Sequence, residues 1–477
     1  MVGARERRPW LSLYDDGVPS DVEVPDGPLS EVLEDAAERW PASVALCHLG
    51  RELTYRELKH DVDQLSTALA RLGVGRGARV ALVLPNCPQL VIGLWATWRL
   101  GAIAVPLGPS GDASALAERL ESSAAEVVLC LDRHFPAVAA ARDAPSSRIR
   151  EVVVGLAADY LPALDRLALS VPSRTGRKER VKRSASVPPG AGVRMWSEQL
   201  RRARGVPVAP EARQLSEPTA GPGADPAVLL PDGQAPGGSV VVFTARNLRA
   251  AGLQASVWLT RARPGREAVL VGLPLTSIEG ITLCLMAGAM LGAALQLVPL
   301  QATESAAPSS TDLRPTFAVG PARFLDGLVG LASGPDIAPD LRSLRLCVAG
   351  PEPLPPAVGG RHEHVLGVRV VDGLSLPGAP LLLAAPVHAS RASAEPVVPL
   401  PSTEVRVVDG QGADRPPGRP GELLVRGPQI AAAGCDADGV PVRRLDADGW
   451  LWTGSEACLH PDGRVELAAP EAGLRQT

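Results

Sequence analysis

The chain has 477 residues, enough for a large core divided among two or three domains or subdomains. Hydrophobic residues make up 45%, which excludes a disordered chain, and the net charge of −4 gives no electrostatic case for nucleic acid or an anionic membrane. Only Lys59, Lys178 and Lys182 are lysine, so the positive charge is almost all arginine, which cannot give up its proton to act as a base or nucleophile.

Residues 1–27 read as an N-terminal extension. The start, MVGARERRPW, is charged with no apolar run behind it, so no signal peptide is expected. Residues 28–164 read as an α/β subdomain. Leu29, Val32, Leu33, Ala36 and Trp40 share one helical face. In the next helix Thr54 and Glu57 have capping-box spacing, Leu58, Val62, Leu65, Leu69 and Leu72 form the apolar stripe, and Gly73 can close it. RVALVLP (79–85) is a continuous apolar run, as expected of a strand covered on both faces. A helix (88–100), a strand (102–107), a helix (113–122) and a strand (127–131) follow, and this alternation implies a mostly parallel sheet.

Residues 165–225 are rich in Pro, Arg, Ser and Gly and read as a linker or insertion, with the basic run RTGRKERVKR (174–183) solvated within it. Residues 226–395 form a second α/β subdomain. Thr244 is a candidate N-cap for a helix through about Leu259, and strands are expected near 268–273, 294–299, 344–349 and 368–372. The apolar stretch Ile281 to Leu300 is broken by Gly and Pro and reads as a buried helix followed by a core strand, so no transmembrane segment is expected. Residues 396–467 hold short strands between Gly, Pro and Asp turns, a small β-rich subdomain, and 468–477 form a tail. The seven cysteines are scattered without a C-x-x-C pair, which fits a reducing, cytoplasmic setting. His362-Glu363-His364, the one close histidine pair, reads as an exposed loop, so no metal site is expected.

The strings LTYRELKHDVDQLSTALARLGVGRGARVALVLPN (53–86), WRLGAIAVPL (98–107), LRLCVAGPEPLP (344–355), PLPSTEVRVVD (399–409), GELLVRGPQI (421–430) and DGWLWTG (448–454) carry a resemblance from about residue 28 to 465. Together they resemble the acyl-adenylate-forming ligases, the AMP-binding superfamily that includes long-chain fatty acyl-CoA synthetases. The resemblance implies that family's large N-terminal domain: two doubly wound, mostly parallel α/β subdomains plus a small β-barrel-like one. It implies an activity in which ATP and a carboxylate give an acyl-adenylate, whose acyl group coenzyme A usually takes. It also implies a hinge and a C-terminal domain of about a hundred residues, which this sequence is expected to lack.

The family's motifs are degenerate here. Its Ser/Thr/Gly phosphate loop ends in a lysine, and backbone N–H groups cradle the phosphates. The matching stretch, PDGQAPGGSVVV (231–242), keeps Gly233, Gly237 and Gly238 but places Asp232 toward a negative ligand and Ser239 where the lysine belongs. Pro231 and Pro236 contribute no N–H. The Tyr-Gly-Leu-Thr-Glu motif, which supplies adenine stacking, a phosphate contact and a magnesium ligand, corresponds to Leu374, Ser375, Leu376, Pro377 and Gly378. The ribose-binding Thr-Gly-Asp reads Thr453, Gly454, Ser455, and the aromatic-histidine step at the acyl pocket reads Thr276, Ser277. No lysine stands near a position that could replace either catalytic lysine, although Arg246 or another arginine could grip a phosphate.

These departures imply a pseudoenzyme that has no catalytic residues or cofactor of the usual kind and acts by binding an acyl ligand or a protein such as an active ligase. The alternative is an active carboxylic-acid–CoA ligase that uses ATP, magnesium and CoA through atypical residues or a partner-supplied C-terminal domain. A third reading is a decaying gene product with no role. Homodimerisation is a family-level expectation.

Overall fold

Three sheets organise the protein, and each draws strands from distant parts of the chain. The structure, a computed structural model, describes residues 8–109, 112–162, 187, 190–206, 225–231, 239–298, 313–332, 341–352, 354–388, 397–435 and 441–468.

The first sheet has nine strands, in the order Pro441–Arg443, Ala433–Cys435, Val240–Thr244, Pro226–Pro231, Ile103–Pro106, Arg79–Val83, Val127–Leu131, Glu151–Gly155 and Val193–Met195. From Pro226–Pro231 to Val193–Met195 the pairing is parallel. Its central strands are apolar runs because helices cover both faces. Helix Pro88–Arg99 is buried from Pro88 to Trp98, and Gly93 lets it lie close to the sheet: a Cβ there would stand 2.7 Å from Leu82. Helix Tyr55–Arg71 begins with the expected capping box between Thr54 and Glu57 and buries Leu58, Val62, Leu65 and Leu69.

The second sheet also has nine strands: Val398–Pro399, Ala379–Ala384, Arg369–Leu376, Leu346–Ala349, Phe317–Gly320, Ala268–Val271, Ala294–Leu297, Val44–His48 and Arg51–Thr54. Helix Ala245–Trp258 packs here, capped by Thr244 and Asn247 as a reciprocal pair. The third sheet is antiparallel, with Glu404–Val408, Pro420–Arg426, Leu451–Leu459 and Val465–Leu467.

The structure differs from the sequence reading in three places. Within 165–225, strand Val193–Met195 and helix Trp196–Ala203 complete the first sheet, with Trp196 1% exposed. Eleven residues are too short to stand out from Pro/Arg-rich flanks; the run 174–183 lies outside the described residues. Strands Pro226–Pro231 and Val240–Thr244, read as the start of the second subdomain, form an antiparallel pair in the first sheet. His362-Glu363-His364 is not a loop: it lies in helix Pro356–Leu366, where His362 is fully buried against Asp326 (2.8 Å) and His364 is exposed. Residues two apart on a helix point away from each other. The apolar stretch from Ile281 is a buried helix followed by a core strand, as read: a π-helix, Gly280–Met286, continues into α-helix Ala287–Met290 and strand Ala294–Leu297.

The N-terminal segment straps the third sheet to the second. Tyr14 donates to Pro399 O (2.6 Å) and meets Trp258 edge-on, while Ser402 N donates to Ser20 O and Ser402 Oγ accepts from Val22 N. Among the described residues no helix is long and apolar enough to cross a membrane.

Candidate functional site

The two large sheets approach each other at the carboxyl ends of their parallel strands, the usual location for a ligand in doubly wound proteins. Asn86, beyond Arg79–Val83, stitches them together. Its Nδ2 donates to Leu273 O and its Oδ1 accepts from Leu275 N, both at 2.8 Å, in the loop that follows Ala268–Val271. That loop leads into Thr276 and Ser277, which the sequence reading compares with the family's acyl-pocket step. Thr276 faces Gly108, where a Cβ would stand 3.4 Å from its hydroxyl oxygen. Ser277 Oγ donates to Pro274 O (3.0 Å) and accepts from Gly280 N (3.2 Å), so it closes the turn that starts the π-helix. Next to it, burial raises the Glu279 carboxyl above the ordinary carboxylate range, with hydrogen bonds from its own N–H and Ser277 opposing.

Asp232, Gly233, Gly237 and Gly238 lie outside the described residues. Ser239 stands just before strand Val240–Thr244, its hydroxyl oxygen buried without a hydrogen-bond partner among the described residues. Leu374 and Ser375 lie in strand Arg369–Leu376, and Pro377 and Gly378 form the turn of the hairpin to Ala379–Ala384, with Leu376 opposite Ala379. A two-residue hairpin needs a residue of positive φ, and Gly378 supplies it at +79°. Leu374 is 4% exposed, a core residue at the position the sequence reading compares with the motif's stacking ring. Ser375 Oγ accepts from Leu381 N (2.9 Å).

Thr453, Gly454 and Ser455 lie in strand Leu451–Leu459. Thr453 Oγ1 donates to Leu423 O (2.8 Å) and accepts from Ser455 N (3.1 Å), and Gly454, at φ +68°, donates to Glu422 Oε1 (3.2 Å). These bonds sit where the pairing register shifts between Glu422 and Leu424. The triplet is thus built into a kink of the sheet, and among the described residues no hydrogen bond joins it to the other two motifs.

Ser239 and the Pro377–Gly378 turn are brought together through a segment that carries no motif. Strand Ala433–Cys435 pairs with Val240–Val242, and just before it Ala431 N donates to Gly378 O (2.8 Å). Arg444 returns beside this strand, donating from its backbone N to Ala432 O (3.0 Å) and from Nη2 to Pro377 O (3.4 Å). Sequence reasoning missed Arg444 because it stands in a stretch without a motif, next to the quoted DGWLWTG. Arg246, a candidate for gripping phosphate, pairs instead with Asp26 (3.1 Å), and Lys59 pairs with Asp63 (2.8 Å) on its own helix. Lys178 and Lys182 lie outside the described residues. Among the described residues, no group of three or more His, Cys, Asp or Glu could hold a metal ion.

Two doubly wound sheets joined at their carboxyl ends, with a small antiparallel sheet beside them, define the large domain of acyl-CoA-synthetase type. The structure matches an anthranilate CoA ligase, AuaEII, solved with anthranoyl-AMP, at a TM-score of 0.74 and 20% identity, covering 94% of this chain and 78% of that one. It matches a long-chain-fatty-acid-CoA ligase (FadD1) from Archaeoglobus fulgidus at a TM-score of 0.72 and 18% identity, covering 95% and 86%. The chain belongs to the AMP-binding enzyme family, whose pattern matches residues 33–192 and 240–433. The long-chain-fatty-acid–CoA ligase of Bacillus subtilis (strain 168) is 26% identical over 468 residues, 97% of this chain and 80% of the relative. The enzyme of that name from Yersinia pestis is 27% identical over 465 residues, 96% and 79%.

Proposed function

We propose that this member of the AMP-binding family does not adenylate acyl groups by the family's usual chemistry. It acts in the cytoplasm as a binding protein, for an acyl ligand or for a protein partner such as an active ligase, and uses no nucleotide or metal. The observation that carries this reading is what occupies the former ligand-binding positions. Leu374, buried in the core, stands at the stacking-ring position, Ser239 at the lysine position and Ser455 at the aspartate position, and the place of a magnesium-binding carboxylate is taken by Gly378 beneath an arginine. A charge-assisted hydrogen bond contributes about 1.5–3 kcal/mol, so losing the lysine, the glutamate and the aspartate removes about 4.5–9 kcal/mol from nucleotide binding. That corresponds to roughly a thousandfold to a millionfold weaker complex. The scaffold is exempt from this loss, because its caps, buried strands and helix faces serve folding alone.

The test is pyrophosphate exchange by the full-length protein with ATP, magnesium and a panel of fatty acids, together with native mass spectrometry of the purified protein. The expected result is no exchange above the blank, with bound lipid or a co-purifying ligase. Acid-dependent exchange would refute the proposal. It would favour the second reading, an active acyl-CoA ligase using ATP, magnesium and CoA through atypical residues, which draws on the similarity to fatty-acid–CoA ligases along 97% of the chain.

A further inference from the structure

We propose that Arg444 is a built-in closure of the nucleotide cleft, an internal contact that fills the space between strand Ala433–Cys435, which pairs with Val240–Thr244, and the Pro377–Gly378 turn. The proposal rests on the motif positions assigned above. Its geometry is set by two glycines. A Cβ on Gly378 would stand 3.2 Å from both Nε and Nη2 of Arg444 and 3.4 Å from Cζ. The guanidinium therefore lies flat in the space a side chain at 378 would enter, the space of the family's metal-binding carboxylate. On the other side, a Cβ on Gly434 would stand 2.7 Å from Val240 O and 3.5 Å from Arg444 Cδ. Gly434 thus lets its strand approach Val240–Thr244 and leaves room for the arginine stem.

The arginine is tied to both walls. Its backbone bonds to Ala432 O, its Nη2 bonds to Pro377 O, and Ala431 N bonds to Gly378 O. One side chain thereby links the strand that pairs next to Ser239 with the hairpin turn of the second sheet. The chemistry suits a permanent closure. A guanidinium stays protonated, is planar enough to lie on a turn, and places positive charge where a divalent cation would otherwise sit. A metal–polyphosphate complex would have to displace the guanidinium and break its bond to the turn before it could touch either motif.

Hydrogen exchange read by mass spectrometry tests this on the full-length protein, comparing wild type with Arg444→Ala and Arg444→Lys. The expected result for Arg444→Ala is at least tenfold faster exchange in peptides spanning 374–384 and 428–435, with a control peptide over 193–203 unchanged. Arg444→Lys, which keeps the charge without the planar group, should fall between the two, and it carries the comparison if the alanine variant does not fold. In parallel, inorganic tripolyphosphate and Mn²⁺ are titrated into the wild type by calorimetry, with no binding expected. Unchanged exchange in Arg444→Ala would overturn the closure. So would tripolyphosphate binding by the wild type that the alanine variant loses, since Arg444 would then be an anion ligand. Pyrophosphate exchange by the wild type would sink the non-adenylating reading whatever Arg444 does, so the two failures are distinguishable.

Discussion

Replacing Gln254 with leucine should loosen the third sheet without unfolding the rest. Gln254 is fully buried on helix Ala245–Trp258, and its Nε2 donates to Pro401 O (2.7 Å), Gln429 Oε1 (3.1 Å) and Thr403 Oγ1 (3.3 Å). Leucine keeps nearly the same volume, so cavity formation is a minor cost. Pro401 O and Gln429 Oε1 lose their donor, whereas Thr403 Oγ1 keeps the bond from Gln429 Nε2 (2.8 Å). The change also removes Gln254 Oε1, a buried acceptor without a hydrogen-bond partner among the described residues. Two acceptors are orphaned and one already unpaired acceptor disappears, a net gain of one unsatisfied buried group, or about 1–3 kcal/mol. At about 1.4 kcal/mol per decade this is roughly a fivefold to 150-fold rise in local opening. Hydrogen exchange of peptides over 400–408 and 423–431 measures it, against a reference peptide over 127–131. Unchanged protection would refute the reasoning, as would an equal loss in the reference, because either outcome denies that this amide anchors the junction.

Further predictions concern the core and the strand ends. Glu267→Ala should cost about 2–4 kcal/mol in urea unfolding, because Thr316 Oγ1 (2.5 Å) and Arg263 N (2.6 Å) lose their buried acceptor and Arg345 loses its carboxylate partner, keeping only its bond to Arg261 O (2.8 Å). A loss below about 1 kcal/mol would contradict that account. Burial pushes His48 down from its ordinary 6.5 to about 4, against a backbone hydrogen bond involving Leu297 that opposes the shift. The folded state therefore holds it neutral while the unfolded chain protonates near 6.5, so its contribution is full above pH 6.5 and is lost as pH falls toward 4. That interval is worth about 3 kcal/mol at about 1.4 kcal/mol per pH unit. Urea midpoints of wild type and His48→Gln between pH 7.5 and 4.5 should converge as acid is added; parallel curves would disprove it. Gly280→Ala puts a Cβ 2.0 Å from Pro274 O and must shift the turn closed by Ser277. A stability loss of about 1–3 kcal/mol is expected in thermal unfolding, and an unchanged midpoint would show that the turn is not tightly packed.

Much of the local architecture was legible because its causes lie within a few residues. Thr54 and Glu57 spell out a capping box, Thr244 stands at a helix start, and the run at 79–85 has the continuous apolarity of a strand covered on both faces. The comparison of residues 231–242, 374–378 and 453–455 with the family's motifs rests on residue type alone and needs no coordinates.

Partnership was not legible, because hydrogen bonds between strands far apart in sequence depend on which edges the whole chain leaves open. Strand Val44–His48 pairs with Ala294–Leu297, and strands Ala433–Cys435 and Pro441–Arg443 leave the C-terminal region to extend the first sheet. Arg444 acquires its place only through that pairing. In the linear sequence it is 66 positions from Gly378, and no periodicity or spacing connects the two. Ser277 and Thr453 gained their roles in the same way, since a hydroxyl bonds to whichever backbone group the packed turn or kinked strand brings within reach. The sequence by itself determined the elements and the residue types at the positions compared with the family's motifs; the tertiary structure decided which neighbours surround them, because only packing fixes which distant groups share a volume.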